Sequence, residues 1–253
     1  MYEMESQTYV TSPQSFTWIF ALSIIYTSIF GLSERIPAPI TYALRYAGFY
    51  LAMCLATLYG LAAFVGLRII GCHEYTMWTA GRFLAWMIYL TTGISFEISE
   101  QDQAKLTSPK PAIFVLNHQT EMDAIIFSKI CPKRCTMMGK SSLKHIPIFG
   151  WILGWVGFIF VDRNDVGRAT KTLENAVKMI RNRYYSILVC PEGTRSRFTE
   201  PKLLPFKRGA FYLAIRAGVP IIPVVAENYS RVLSSKTKTF RAEKIKVRGK
   251  CRF

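Results

Sequence analysis

The chain has 253 residues, about half of them hydrophobic, and a formal net charge of +16. That is room for one large domain or two small ones with a sizeable core, and a mean hydropathy of +0.19 argues against a purely water-soluble protein. Residues 1–100 hold four basic and six acidic residues, a net of −2, whereas residues 101–253 hold 28 basic and 10 acidic, a net of +18; a basic region behind a near-neutral apolar one suits an anionic partner, whether a membrane surface, a phosphate-bearing substrate or a nucleic acid.

The start of the chain carries Glu3 and Glu5 and no nearby Lys or Arg, which argues against a cleaved signal peptide. Phe16 to Leu32 is an uncharged apolar run of 17 residues, and Tyr46 to Leu67 is a second of 22, flanked by Arg45 and Arg68. A spanning helix needs about 20 apolar residues, so the second run is the better candidate. Ser33 to Pro39, with Glu34, Arg35 and two prolines, reads as a turn. The two runs together read as a helical hairpin that crosses a bilayer or lies partly in it. Phe83 to Phe96 is apolar but short, and reads as an interfacial or buried helix. The positive-inside rule puts the basic region on the cytoplasmic side, where the sequon Asn228-Tyr229-Ser230 stays unmodified.

From about residue 111 the pattern becomes α/β. Ala112–Leu116, Gly157–Val161, Ser186–Cys190, Val219–Ala226 and Ile245–Val247 read as strands. Glu121–Ile130, Ala169–Ile180 and Arg208–Ala217 read as helices, the last ended by Gly218. Alternating strands and helices predict a mainly parallel sheet flanked by helices, with its chemistry at the strand ends. The expected organisation is a membrane-anchoring helical region over 1–95 and a catalytic domain over 96–253. The six cysteines (Cys54, Cys72, Cys131, Cys135, Cys190, Cys251) offer one close pair and no second to complete a zinc site. They read as reduced thiols facing a reducing compartment.

The polar residues at the strand ends carry the chemistry. Asn117 to Asp123 puts His118 at a strand end and Asp123 five residues on. On a regular helix the two would point about 140° apart. They meet only if His118 lies on the turn before the helix and Asp123 in its first turns. A carboxylate so placed holds one imidazole nitrogen and leaves the other free as a base. Glu192-Gly193-Thr194-Arg195 packs a carboxylate, a glycine and an arginine into the loop after Ser186–Cys190. Glycine lets backbone approach a ligand, and arginine forks onto phosphate oxygens. Asp162-Arg163 ends a further strand, and Lys207-Arg208 opens a helix. Each alone reads as solvated charge; together they lie at the ends of successive strands, which converge on one edge of such a sheet.

In this order the blocks resemble those of the glycerolipid acyltransferases, most closely the eukaryotic-type 1-acylglycerol-3-phosphate acyltransferases. The likeness runs through Asn117–Asp123 (the HX4D motif), Phe160 with Asp162 and Arg163, Glu192–Arg195, and Val219–Val224, with Gly139–Leu143 and Leu203–Ala210 as further matching segments. The resemblance implies transfer of a fatty-acyl group from acyl-CoA to lysophosphatidic acid. It implies His118 as base, Asp123 as its orienter, and Arg163 with the Glu192–Arg195 block on the acceptor phosphate. Lys140 and Lys207 would be further phosphate contacts, and Val219–Val224 would floor the site. No metal or resident cofactor is implied, since acyl-CoA is a substrate, and no acyl-enzyme is implied, since no G-x-S-x-G elbow is found. The implied location is the endoplasmic reticulum membrane with a cytoplasmic catalytic domain; a bacterial inner membrane is the alternative. Two departures stand out. The chain ends at Phe253, soon after the last expected strand, where relatives continue into a helix, so the domain reads as shortened. Glu121-Met122 is more polar than the matching segment of relatives.

Rival readings remain open on sequence alone. The acceptor could be glycerol-3-phosphate or another lysophospholipid. A non-catalytic, membrane-bound basic scaffold would show no dependence on His118. Nucleic-acid binding fits the charge, but no recognised module accompanies it. A nucleotide-binding loop at Gly139-Lys140-Ser141 is excluded, because Arg134 stands where the first glycine is needed.

Overall fold

The computed structural model describes residues 36–106 and 110–249. The run Phe16–Leu32 and the first part of the expected turn lie outside the described residues. Helix α1, Ala38–Ile69, takes in the whole second apolar run and both flanking arginines. Pro39 sits in its first turn, where no intrahelical N–H bond is lost. At 32 residues α1 is long and apolar enough to cross a membrane. It buries the stripe Arg45, Phe49, Ala52, Ala56 and Gly60, at three- and four-residue spacing. Leu44, Leu51, Leu58 and Val65 lie exposed elsewhere on the helix.

The partner of α1 is helix α2, Thr76–Thr92, closed by Gly93 in the left-handed region. The Phe83–Phe96 segment is thus the second arm of a hairpin up to Thr92, and then turns into strand β1, Ser95–Glu97. The two helices approach closely at Gly48, where a β-carbon would lie 2.9 Å from the Thr91 carbonyl oxygen.

After helix α3 (Glu100–Leu106) the chain builds the sheet: β2 Ile113–Leu116, β3 Cys135–Lys140, β4 Ile159–Val161, β5 Ser186–Val189, β6 Ile221–Ala226 and β9 Lys244–Gly249. The order is β1-β9-β6-β2-β5-β3-β4. All neighbours run parallel except β6 and β9, as the strand–helix alternation predicts. A short ribbon, β7 (Leu233–Ser234) with β8 (Thr239–Phe240), lies apart. The helices between strands are α4 Asp123–Ile130, α5 Phe149–Trp155, α6 Val166–Arg183 and α7 Gly209–Ala217. Asp165 caps α6, its side chain accepting from Arg168 N at 2.9 Å.

Strand alternation splits the core in two. Phe114, Leu116 and Leu188 pack with α4 and with Phe49, Ala52, Ala85 and Ile88 of the hairpin. Ile113, Val115 and Ile187 pack on the other face with Val177, Ile180 and Leu213. Helices α1 and α2 therefore share a core with the sheet, and the expected boundary at 95/96 falls inside β1.

Gly48→Ala tests the hairpin contact. The added methyl must displace backbone, so the variant is expected to lose about 1–3 kcal/mol, the usual scale of overpacking, read as a lower denaturant midpoint.

Candidate active site

The carboxyl ends of β2, β3, β4 and β5 lie along one edge of the sheet, because these strands are mutually parallel. Asn117, just past β2, is locked to the end of β6. Its Nδ2 donates to Ala226 O at 3.0 Å, and its Oδ1 accepts from Ala226 N at 2.9 Å. The next residue, His118, begins a turn that ends where α4 starts at Asp123.

His118 Nδ1 lies 2.8 Å from Asp123 Oδ2. The same oxygen accepts from Gln119 N at 2.6 Å and Thr120 N at 3.1 Å. Asp123 is 2% exposed. With the carboxylate as acceptor, Nδ1 carries the hydrogen and Nε2 is left with a free lone pair. The turn-then-helix arrangement that the five-residue spacing required is the one present.

Tyr229 completes the group and was not legible in the sequence. It is fully buried, and its hydroxyl donates to Asp123 Oδ1 at 2.6 Å. Having given its hydrogen to Asp123, the phenol oxygen accepts from Thr120 Oγ1 at 2.9 Å. Thr120 Oγ1 in turn accepts from Met122 N at 3.1 Å. Burial, and then the Asp123 charge, push the Tyr229 phenol well above its usual range. The sequence signal at this place was the sequon, yet Asn228 ties a loop: its Nδ2 donates to Phe198 O at 3.1 Å and Glu200 O at 2.9 Å.

Glu192 stands apart from the rest of its block. It is 3% exposed and turned inward. Its Oε1 accepts from His118 N at 2.7 Å, and its Oε2 from Leu204 N at 2.9 Å. It fixes the His118 backbone, and neither oxygen faces the cleft described next. The loop after it is laced to the same turn, Ser196 N donating to His118 O at 2.8 Å. Gly193, at φ +72°, brings its carbonyl to Arg163 Nη1, which donates to it. A β-carbon at Gly193 would lie 3.4 Å from Lys207 Cγ. Arg163, Gly193 and Lys207 are therefore neighbours, but Lys207 does not line the cleft described next.

His118, Asp123, Lys140, Arg163, Gly193, Thr194 and Arg195 all line one cleft of about 600 Å³. Its other walls are apolar or small: Met53, Ala56 and Gly60 of α1, Met77, Ala80 and Leu84 of α2, Phe127 of α4, and Leu153 of α5. The cleft is thus polar and cationic at one end and oily at the other. None of the apolar wall was foreseen as part of the site. Cys190 lines the cleft too, but burial, and then the Asp123 and Glu192 charges, push its thiol far above its ordinary range. A protonated thiol is a poor nucleophile. Among the described residues no group of three or more His, Cys, Asp and Glu side chains is placed to hold a metal ion.

Tyr229→Phe removes the partner of Asp123 Oδ1. The expected cost is about 1–3 kcal/mol in denaturant unfolding, the range for a buried bond to a charged group. In the wild type the unfolded phenol ionises near pH ~10 while the folded one stays neutral, so the unfolded state binds fewer protons and stability falls as pH rises past ~10. The variant should lack that part of the alkaline decline.

Known proteins resemble this chain in sequence and in fold. The acyltransferase family model matches residues 97–227. A 1-acyl-sn-glycerol-3-phosphate acyltransferase of Saccharomyces cerevisiae is 34% identical over 200 residues, covering 79% of this chain and 65% of its own length. An uncharacterised acyltransferase of Schizosaccharomyces pombe is 30% identical over 227 residues, covering 88% and 80%. The crystal structure of a 1-acyl-sn-glycerophosphate (LPA) acyltransferase from Thermotoga maritima shares the fold with a TM-score of 0.70 at 20% identity, covering 86% of this chain and 87% of the other.

Proposed function

The chain belongs to the acyltransferase family, and from that premise we propose that it transfers a fatty-acyl group from acyl-CoA to the free hydroxyl of 1-acylglycerol-3-phosphate. The observation that carries the reading is the His118–Asp123 pair at 2.8 Å, opening on the same cleft as Arg163 and Arg195.

In this reading His118 Nε2 takes the proton of the acceptor hydroxyl as its oxygen attacks the thioester carbonyl. The buried Asp123 carboxylate stabilises the imidazolium that forms. The tetrahedral intermediate collapses with loss of the CoA thiolate, which recovers the proton from His118. The products are phosphatidic acid and free CoA. Arg163 and Arg195 hold the acceptor phosphate by forked hydrogen bonds, and Lys140 adds a point charge at the cleft edge. The apolar end takes an acyl chain. A membrane supplies the lysophosphatidic acid and takes up the phosphatidic acid, and the α1–α2 hairpin, apolar on its exposed side, seats the chain there.

The test is acyl transfer in detergent or vesicles from labelled acyl-CoA to lysophosphatidic acid. His118→Ala should lose at least about 10²-fold, the low end for general-base contributions. Asp123→Asn offers no carboxylate to the imidazolium and should lose about 10²–10⁴-fold in kcat with little change in either KM. Product formed at the wild-type rate by His118→Ala would refute the mechanism.

A further inference from the structure

Glu121 is an acidic residue at the cationic end of the cleft that the acyl-transfer chemistry does not use. It stands in the turn between His118 and Asp123 and lines the cleft with them. Its Oε1 accepts from Arg195 Nη1 and, at 3.3 Å, from Arg197 Nη2. The side chains of Glu121, Arg195 and Arg197 are 35%, 39% and 50% exposed. These pairs are therefore solvent-screened and exchangeable, unlike the buried contacts of Asp123 and Glu192.

An arginine fork offers the same donors to a carboxylate as to a phosphate. Glu121 thus occupies on Arg195 the place an anionic ligand would take. A purely structural clamp is not needed at this point. The loop is already held to the His118 turn by Ser196 N to His118 O at 2.8 Å and Arg197 N to Gln119 O at 3.3 Å. Arg197 lies on the far side of Glu121, facing a small neighbouring pocket that Arg195 does not line.

We infer that Glu121 is a specificity-determining residue: its carboxylate competes with the acceptor phosphate for Arg195 and must be handed to Arg197 before Arg195 can bind that phosphate. The displaced carboxylate stays beside the bound group. It therefore penalises a dianionic phosphomonoester more than a monoanionic phosphodiester. The inference rests on the reading of Arg195 as a phosphate contact, and it concerns binding rather than the chemical step.

Equilibrium binding in detergent micelles, without acyl donor, tests it separately from turnover. The probes are lysophosphatidate and the phosphodiester lysophosphatidylglycerol, against wild type, Glu121→Gln, Arg197→Met and the double variant. Glu121→Gln should tighten lysophosphatidate by about 2–5-fold, the scale of an exposed ion pair, and the phosphodiester by less. Arg197→Met should weaken lysophosphatidate, and that weakening should vanish in the Glu121→Gln background. Unchanged or weaker binding by Glu121→Gln would overturn the inference and leave Glu121 a loop clamp. Equal weakening by Arg197→Met in both backgrounds would overturn the hand-over, making Arg197 a direct phosphate contact. Binding that follows the expected pattern in a protein without acyl-transfer activity would uphold the inference and refute the proposed reaction. Acyl transfer to another acceptor with no lysophosphatidate binding by any variant would refute both the inference and the proposed acceptor, leaving acyl transfer itself standing.

Discussion

A carboxylate taken out of water loses several kcal/mol of hydration, and the buried Asp123 offsets that loss with four donors. Two are backbone N–H groups of the turn that precedes its own helix, one is an imidazole nitrogen, and one is a phenol from beyond β6. The turn is wrapped around the carboxylate, so the path of residues 118–120 and the orientation of the His118 ring are set together. Through Tyr229 the same group pins the segment after β6, and through Asn117 the end of β6 is pinned a second time. The His118–Asp123 geometry and the local fold are thus one constraint: neither can relax without exposing an unpartnered buried charge.

Glu192 extends this logic to the neighbouring strand. Its two oxygens bridge the backbone of His118 and of Leu204, so the loop after β5 is registered against the turn after β2. That registration leaves Gly193, Thr194 and Arg195 facing the cleft and brings Arg163 across from β4. A buried anion aligns the exposed cations beside it. The block is therefore mixed in placement: its acidic member organises backbone, and its arginine lines the cleft.

The elements legible in the sequence were those whose residues advertise them locally. Apolar runs ending in polar blocks located β2, β4, β5 and β6, and the Leu173–Val177–Ile180 spacing located α6. The His118–Asp123 pairing followed from spacing, because only one local geometry lets residues five apart meet. Strand β3 went unread because Cys-Thr-Met-Met-Gly-Lys is not an apolar run; its pairing with β5 and β4 is what makes it a strand. Helix α5 is short and carries Gly150 and Gly154, which local propensity scores against. The inward turn of Glu192 and the bond from Tyr229 depend on partners 74 and 106 residues away. Contacts at that separation leave no trace in local pattern. The segment Phe83–Phe96, which reads as an interfacial or buried helix, supplies most of α2 and pairs with α1; the expected hairpin of the two apolar runs involves Phe16–Leu32, which lies outside the described residues.

Helix α1 is oily on the side that meets the protein and oily again on sides that do not, and the oily end of the cleft opens beneath it. When a bilayer covers that outer face, a lipid acceptor and its acylated product arrive and leave by lateral diffusion, while the CoA of the donor stays in water. The quantity that saturates such a catalyst is mole fraction in the lipid plane, not molarity in the tube. Spreading the same amount of acceptor through more inert lipid then slows turnover, and the composition of the surrounding leaflet becomes a kinetic variable as direct as the supply of acyl donor.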